Sequence, residues 1–354
     1  MNGDVVDALK KCAEALQHGN SRLANAEMGR VVDLAEKETE PRNRRLIRYF
    51  AQALACRAYG FHPKLFSVPS SDWKNKISEW CGILPTLGWA IADVIKGKRK
   101  VHVIEPVKHM DIFEQWVSFL SESYNWVGLT HLRLSFLVQE NVEFSKESEN
   151  KFIRAFHHCQ IALEYKIFSV NSFADIDVSL LELRDGEFVV VYCMCVFSKM
   201  LSEALALEKL LLRVRDVMRA GIMIVVEHEA NHNQSDFLLR FDESLKYYSS
   251  TFRGFLYRDI ETYFRYQIWN IVACEGSNRV ERHQTWAQWK SLLIYYGFSI
   301  FNLVTKWESK EHEEWTKDGI LVITSTETEK RPIFFVSAWR TLTSPSKSSG
   351  SDEG

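Results

Sequence analysis

The sequence predicts an α/β protein: a doubly wound, largely parallel sheet with an α-helical cap contributed by its N-terminal region. Three observations predict it. The first hundred residues repeat apolar positions at helical spacing, and from residue 100 short β-branched or aromatic runs alternate with helix-like stretches. No Pro/Gly/Ser-rich linker separates these two textures. Strands that alternate with helices imply parallel βαβ units, and a missing linker implies that the helical start packs onto the sheet.

The elements follow in order. In "DVVDALKKCAEALQHGN", Val5, Leu9, Cys12 and Leu16 form one helical stripe, and Gly19 stands where a C-terminal cap is expected. "RNRRLIRYFAQALACRAYG" repeats the pattern with Leu46, Phe50 and Leu54, and ends at Gly60. The strands expected next are "VHVIE" (101–105), "LRLSFLV" (132–138), "EYKIFSV" (164–170), "EFVVVYCMCV" (187–196) and "GIMIVVE" (221–227). Helices are expected between them over 109–124 and as one segment over 198–218. Two aromatic helical stretches follow, over 252–276 and around 282–298, before the strands "ILVITS" and "PIFFVSAW". Residues 1–340 are therefore read as one domain, with a cap over about 1–98 and an α/β core over about 99–340. The small polar tail 341–354 is expected to be disordered.

Composition narrows the function classes. A chain of 354 residues, 46% hydrophobic and 13% aromatic, can bury a large core. A net charge of −2 gives no global attraction to nucleic acid or anionic membranes. Nothing approaches the ~20 uninterrupted apolar residues of a spanning helix. The first residues lack the basic and apolar regions of a secretory signal. Seven widely spread cysteines suit a reducing compartment. Cys193 and Cys195 are expected to point the same way from a strand, as small core residues.

One short phrase tests the enzymatic readings. "VVEHEANHN" contains His228-Glu229-Ala230-Asn231-His232, the H-E-x-x-H lettering of a zinc protease. That chemistry needs both histidines on one helix face, with the glutamate as base. Here a β-branched run precedes the phrase and two asparagines flank His232, which reads as a strand running into a loop. Nor does "VHVIE" lead into a cofactor turn. The residues that follow Glu105, "PVKHMDIFEQW", contain no glycine, and Pro106, Val107, Lys108 and His109 crowd any close backbone approach. No metal, no cofactor and no catalysis are expected.

The ordered segments resemble the GRAS family of plant transcriptional regulators over about residues 4–340. "ALKKCAEALQHGNSRLANAEMGRVVDLA" and "RLIRYFAQALACRAYG" resemble its first leucine-rich region. Val101-His102-Val103-Ile104-Glu105 stands at its VHIID motif. "FLLRFDESLKYYSSTF" and "IWNIVACEGSNRVERHQTWAQWKSLLIYYGF" are similar to its PFYRE region, and Ser337-Ala338-Trp339 to its SAW motif. "VVEHEANHN" looks most like the DELLA branch, the growth repressors of gibberellin signalling; His228 falls on a variable position of that phrase. The resemblance implies a Rossmann-like, methyltransferase-like core without catalysis. It also implies a nuclear protein that binds DNA-binding transcription factors, of zinc-finger or helix-loop-helix type, and other GRAS proteins as homo- or heterodimers. Membrane association and direct DNA binding are not expected. Two other readings stay open: a methyltransferase-like or other small-ligand enzyme, and a truncated competitor of active relatives.

Individual residues carry paired readings. Leu9, Leu16, Leu46, Phe50 and Leu54 line either the cap interior or a partner surface, and the resemblance favours a partner surface for part of the stripe. Leu207, Leu210 and Leu211 spell L-x-x-L-L, either a groove-binding edge or core packing. Arg240, Glu275, Arg279, Glu281 and Arg282 are expected to pair and lock helices onto the sheet. Trp289 and Trp339 are expected to anchor packing. The basic run Lys96, Lys98, Arg99 and Lys100 reads as a nuclear import signal or as a solvated turn.

Departures from the family pattern have consequences. The VHIID acid is Glu105 rather than Asp, its usual Gln-Gly-containing continuation is replaced, and "CMCVF" stands at the fourth strand's end, where the family carries asparagine. The chain also begins at the first leucine-rich region, without the DELLA segment that the hormone receptor recognises. Gibberellin is therefore expected not to destabilise this protein by that route. Equal loss in hormone-treated and receptor-deficient extracts is the expected result; receptor-dependent loss contradicts it.

Overall fold

The structure is a computed structural model that describes residues 1–61, 83–107, 113, 116–117, 119, 128–139, 146–158, 160–253, 258–303, 313–315, 319–324 and 331–341. The helix expected over 109–124, save Phe113, Trp116, Val117 and Phe119, and the tail beyond Thr341 lie outside the described residues.

Three helices open the chain: α1 (Gly3–Gln17), α2 (Ser21–Lys37) and α3 (Pro41–Ala58). Their ends follow from local chemistry. The Asn20 side chain accepts the Leu23 N–H at 3.1 Å to start α2, and Pro41 begins α3, where its missing N–H costs nothing. Gly19 (φ +68°) closes α1, with the Asn20 N–H returning to the Ala15 carbonyl at 2.8 Å. Gly60 (φ +64°) closes α3 the same way, through the Phe61 N–H and the Cys56 carbonyl at 2.9 Å. Both turns need the left-handed backbone that glycine adopts freely.

After α4 (Ile83–Val94), five strands build the parallel sheet: β1 (Lys100–Val107), β2 (His131–Gln139), β3 (Ala162–Val170), β4 (Phe188–Met194) and β5 (Ile222–His228). Their spatial order is β3-β2-β1-β4-β5, the doubly wound order with its reversal between β1 and β4. An antiparallel block completes the sheet. β9 (Pro332–Thr341) pairs with β5, and β8 (Leu321–Thr324) and β7 (Glu313–Trp315) continue outward. β6 (Phe298–Phe301) also pairs with β9. β6 and β7 are too short to announce themselves by period, and the sequence reading did not anticipate them.

The remaining helices among the described residues are α5 (Lys146–His158), α6 (Phe197–Met200), α7 (Ala206–Leu212), α8 (Phe237–Arg253), α9 (Arg258–Ala273) and α10 (Trp286–Tyr295). Helices cover both faces of the sheet. Ile222, Ile224 and Val226 on β5 face a core shared with α1–α3, α8 and α9, whereas Met223 and Val225 face one shared with α6, α7 and α10. This alternation is the period of two expected of a strand buried on both sides. The first core runs without a break from Val5 in α1 to Ala338 in β9.

Two expectations are corrected. The single helix over 198–218 is broken into α6, α7 and a π-helical turn (Arg213–Val217), because Leu205 adopts a left-handed backbone (φ +61°) before α7. Cys193 and Cys195 do not point the same way. β4 ends at Met194 and Cys195 sits at φ +51°, so Cys193 packs into one core and Cys195 against the other.

Phe50 is fully buried and meets Phe241 of α8 edge-on at 5.7 Å between ring centres, joining cap to core. Phe50→Ala is expected to lower stability by roughly 3–5 kcal/mol. With the first core unbroken, denaturant unfolding followed separately by tryptophan emission and by circular dichroism is expected to move as one transition. A cap that melts first contradicts the single-domain reading.

Candidate functional site

The carboxyl rim of a doubly wound sheet is where ligands bind, so the residues leaving β5 and β1 decide what this protein can hold. β5 delivers Glu227, His228 and Glu229 in succession. Strand alternation sends the two glutamates to one face of the sheet and the histidine to the other. Glu227 is fully buried, and its Oε1 accepts the N–H groups of Phe197 (2.7 Å) and Ser198 (3.3 Å), the first turn of α6. The Glu229 carboxylate accepts the Trp286 N–H at 2.6 Å, where a Thr285–Gln288 capping box starts α10. Each acid thus ties a helix start to the end of β5.

On the opposite face lies a buried hydrogen-bond network. The Tyr247 hydroxyl donates to the Ile333 carbonyl at 3.1 Å, so the His228 Nδ1–H donates to Tyr247 at 2.8 Å. His228 Nε2 then accepts from the Gln267 amide at 3.2 Å, and Tyr248 donates to Gln267 at 3.0 Å. The His283 Nε2–H donates to Glu281 at 3.0 Å, which leaves its Nδ1 to accept from His232 Nδ1 at 2.9 Å. Lys199, itself buried, approaches Glu281 at 3.7 Å. Both ring nitrogens of His228 and of His283 are therefore in use, and His228 and His232 do not converge on a common point. A zinc ion does not fit these groups, and among the described residues no cluster of His, Cys, Asp or Glu has the geometry of a metal site.

At the end of β1 the described residues also pack closely. Glu105 is buried and its Oε2 accepts the Trp116 indole N–H at 3.0 Å. Trp116 packs edge-on against Phe119, and Phe119 against Tyr192 of β4. A Rossmann-like site keeps bare backbone after its first strand; here large aromatic side chains pack beside the strand. Lys108 and His109 lie outside the described residues. The other residues of the motif are structural. Val101, Val103 and Ile104 are core, and the buried His102 Nε2 bonds the Ser135 hydroxyl on β2 at 2.8 Å.

Of the charged residues expected to pair and lock helices onto the sheet, Arg240 and Glu275 pair with each other, whereas Arg279 and Arg282 bond backbone carbonyls and Asn233. Arg240, fully buried, gives Nε to the Ile271 carbonyl (3.0 Å), Nη1 to Gln234 (2.8 Å) and Nη2 to the Glu275 carboxylate. Arg57, at the end of α3, reaches the same Glu275 oxygen at 2.8 Å and lies over the Phe237 ring at 3.6 Å. Glu275 is thus gripped from cap and core together. Arg279 donates to the His232 carbonyl at 2.9 Å, and Arg282 to Asn233 Oδ1 at 3.2 Å, fixing the loop after β5. Trp289 and Trp339 are fully buried, the latter donating to Ser337 Oγ at 2.9 Å, while Ala338 faces the opposite core.

The leucines expected at a partner surface face inward. Leu9, Leu46, Phe50 and Leu54 are at most 1% exposed and Leu16 is half-buried, because the stripe packs against α8 and α9. Leu207, Leu210 and Leu211 are also buried, so the L-x-x-L-L stretch is core. The sequence reading missed Tyr247, Gln267, His283, Lys199, Trp116 and Arg57. Their roles depend on partners far along the chain, and no local spacing signals them.

Burial dominates the electrostatics. It pushes Glu227 and Glu229 up to about 7, against the backbone N–H groups that favour their charged forms. It pulls His102 down to about 3, helped by the Arg133 and Arg184 guanidinium groups, and holds His228 and His232 well below the usual histidine range. On acidification from pH 7.5 to 5.5 the unfolded chain protonates these histidines and the folded chain does not, so they lower stability. Over the same range the folded chain takes protons on the two glutamates and the unfolded chain does not, which raises stability. Removing the second effect with Glu227→Gln and Glu229→Gln is expected to steepen the loss of stability on acidification, measured as urea midpoints across that range. An unchanged slope contradicts it.

Comparison with known proteins places this architecture. The GRAS domain family matches residues 5–340. The chain is similar to DELLA protein GAI1 of Vitis vinifera, at 35% identity over 84% of this chain and 54% of that protein. It is also similar to DELLA protein GAI of Arabidopsis thaliana, at 32% identity over 96% of this chain and 68% of that protein. The chain thus spans about half the length of the first of these curated relatives. In fold it matches the crystal structure of SCL7 in Oryza sativa, with a TM-score of 0.77 at 20% identity, covering 96% of this chain and 100% of that one. The family match runs from the first turn of α1 into the last turn-ward residues of β9, and the chain belongs to the GRAS domain family.

Proposed function

We propose that this protein is a non-enzymatic transcriptional co-regulator in gibberellin-related growth signalling. In this reading residues 1–340 act in the nucleus as a single unit that docks onto DNA-binding transcription factors of zinc-finger or helix-loop-helix type, and onto other GRAS proteins. Family membership and the likeness to DELLA proteins support the regulatory role. The observation that carries the non-enzymatic part lies in the described residues of the carboxyl rim, where the Trp116 indole is bound to the Glu105 carboxylate and a hydrogen-bond network takes up both ring nitrogens of His228 and His283. In this reading partner contacts fall to the outer faces. Leu23 and Val32 on α2 and Ile294 and Tyr295 on α10 are exposed there. No described helix is long and apolar enough to cross a membrane.

Two measurements test the reading. Calorimetric titration with S-adenosylmethionine, and separately with zinc, is expected to give no saturable heat; clear binding of either favours an enzyme. Affinity purification from plant nuclei followed by mass spectrometry is expected to recover DNA-binding factors or GRAS proteins. Leu23→Ser with Val32→Ser, or Tyr295→Ala, is expected to reduce that recovery several-fold without moving the unfolding midpoint. Recovery unchanged in both variants contradicts docking through these faces.

A further inference from the structure

The opposite, amino-terminal rim of the sheet carries a cavity of about 670 Å³ that the regulatory reading does not use. Three chain entries form it: the turn 97–100 leading into β1, Thr130–His131 leading into β2, and the turn 186–188 leading into β4. Gly97 (φ +76°) and Gly186 (φ +80°) shape two of these turns, and a Cβ at either meets nothing within 4 Å, so the mouth is open there.

The charge of this cavity is not balanced from within. On the neighbouring strands Arg133 pairs with Glu187, Arg184 with Glu164 and Lys166 with Glu182. Among the described residues Lys96, Lys98, Arg99 and Lys100 have no carboxylate at ion-pair distance. The one acid in the lining, Glu187, is already bound to Arg133 and lies 3.9 Å from Arg184. What faces the cavity is therefore cationic.

Its backbone is held in place. The Arg99 carbonyl accepts the Thr130 N–H (2.9 Å), the Thr130 hydroxyl (2.9 Å) and the His131 N–H (3.1 Å). The Lys98 N–H returns to the Ile95 carbonyl at 2.9 Å, its ammonium lies over the Phe188 ring at 4.6 Å, and Lys100 is paired within the sheet. A linear import signal is read as an extended, detachable segment; this run is folded into a turn and a strand. Cations set around a concavity on a held backbone are instead an arrangement that captures clustered anionic oxygens.

We propose that the amino-rim cavity is a binding site for a compact polyphosphorylated anion, held by Lys98, Arg99 and Lys100. Its volume lies within the roughly 300–1,000 Å³ range of small-ligand sites. A small ligand fits better than a nucleic-acid backbone. The exposed Asp185 adjoins Gly186 of the lining, and the chain's net charge is −2, so a long polyanion leaving the cavity gains no general attraction from the rest of the chain.

The test is calorimetry of the full chain at ~0.15 M ionic strength with sodium tripolyphosphate and with inositol hexakisphosphate as probes. The expected result is saturable binding of at least one probe at one site per chain. It should weaken about tenfold or more in Arg99→Ala with Lys100→Ala, and stay unchanged in Arg30→Ala, an exposed cation on α2. Thermal melts accompany each variant. Where the double variant melts early, Lys98→Gln alone repeats the comparison. Absence of saturable binding, equal weakening by Arg30→Ala, or tighter binding of short duplex DNA that displaces both probes overturns the proposal.

Discussion

The structure depends on one constraint: the polar groups buried at the end of β5 draw their partners from inside the protein, and of these groups Glu227 Oε2 and His232 Nε2 make no hydrogen bond with the described residues. An unpaired buried donor or acceptor costs about 1–3 kcal/mol, and a charged one more. Glu227, His228, Glu229 and His232 leave the strand within six residues, and all four are withdrawn from solvent wholly or largely. Their partners come from α6, α8, α9, α10 and the loop before α10. The placement of these elements is thereby coupled to a single strand end, and that coupling turns a stack of layers into one defined arrangement.

The cap is tied in by a second device of the same kind. The Glu275 carboxylate, just after α9, receives Arg240 from α8 and Arg57 from α3. Removing either arginine leaves the acid with one partner and, in the case of Arg240, empties a fully buried space. Apolar packing alone would let the cap slide over α8 and α9, because the hydrophobic effect is non-directional. The arginine forks fix the register. This is why the leucine stripes of α1 and α3 point inward: the cap is a layer of the core, and its outer face is what it presents to other molecules.

These two constraints bear on function. A sheet of this order offers a crevice at its carboxyl rim, and there the described residues engage one another: an indole bound to Glu105, two helix starts bound to glutamates, and histidines bound to one another. The amino rim differs. The backbone carrying its cations is fixed by hydrogen bonds, yet these cations have no internal counter-charge among the described residues, so the two rims differ in charge balance.

The sequence by itself determined the five parallel strands, the helix ends at Gly19 and Gly60, the loop character of the phrase around His232, and the family. These are local or collinear properties, carried by periodicity, turn residues and ordered motifs. It did not determine which way a stripe faces. Leu9 to Leu54 have the same spacing whether they line an interior or a surface, and only contact with α8 and α9 buried them. Nor did it determine the partners of His228, Glu275 or Glu105, which lie between 11 and 218 residues away. Cys193 and Cys195 mark the boundary between the two: their spacing is that of one strand face, but a single left-handed residue turned them apart. Long-range pairing, made in three dimensions between segments with no common period, decided the rest.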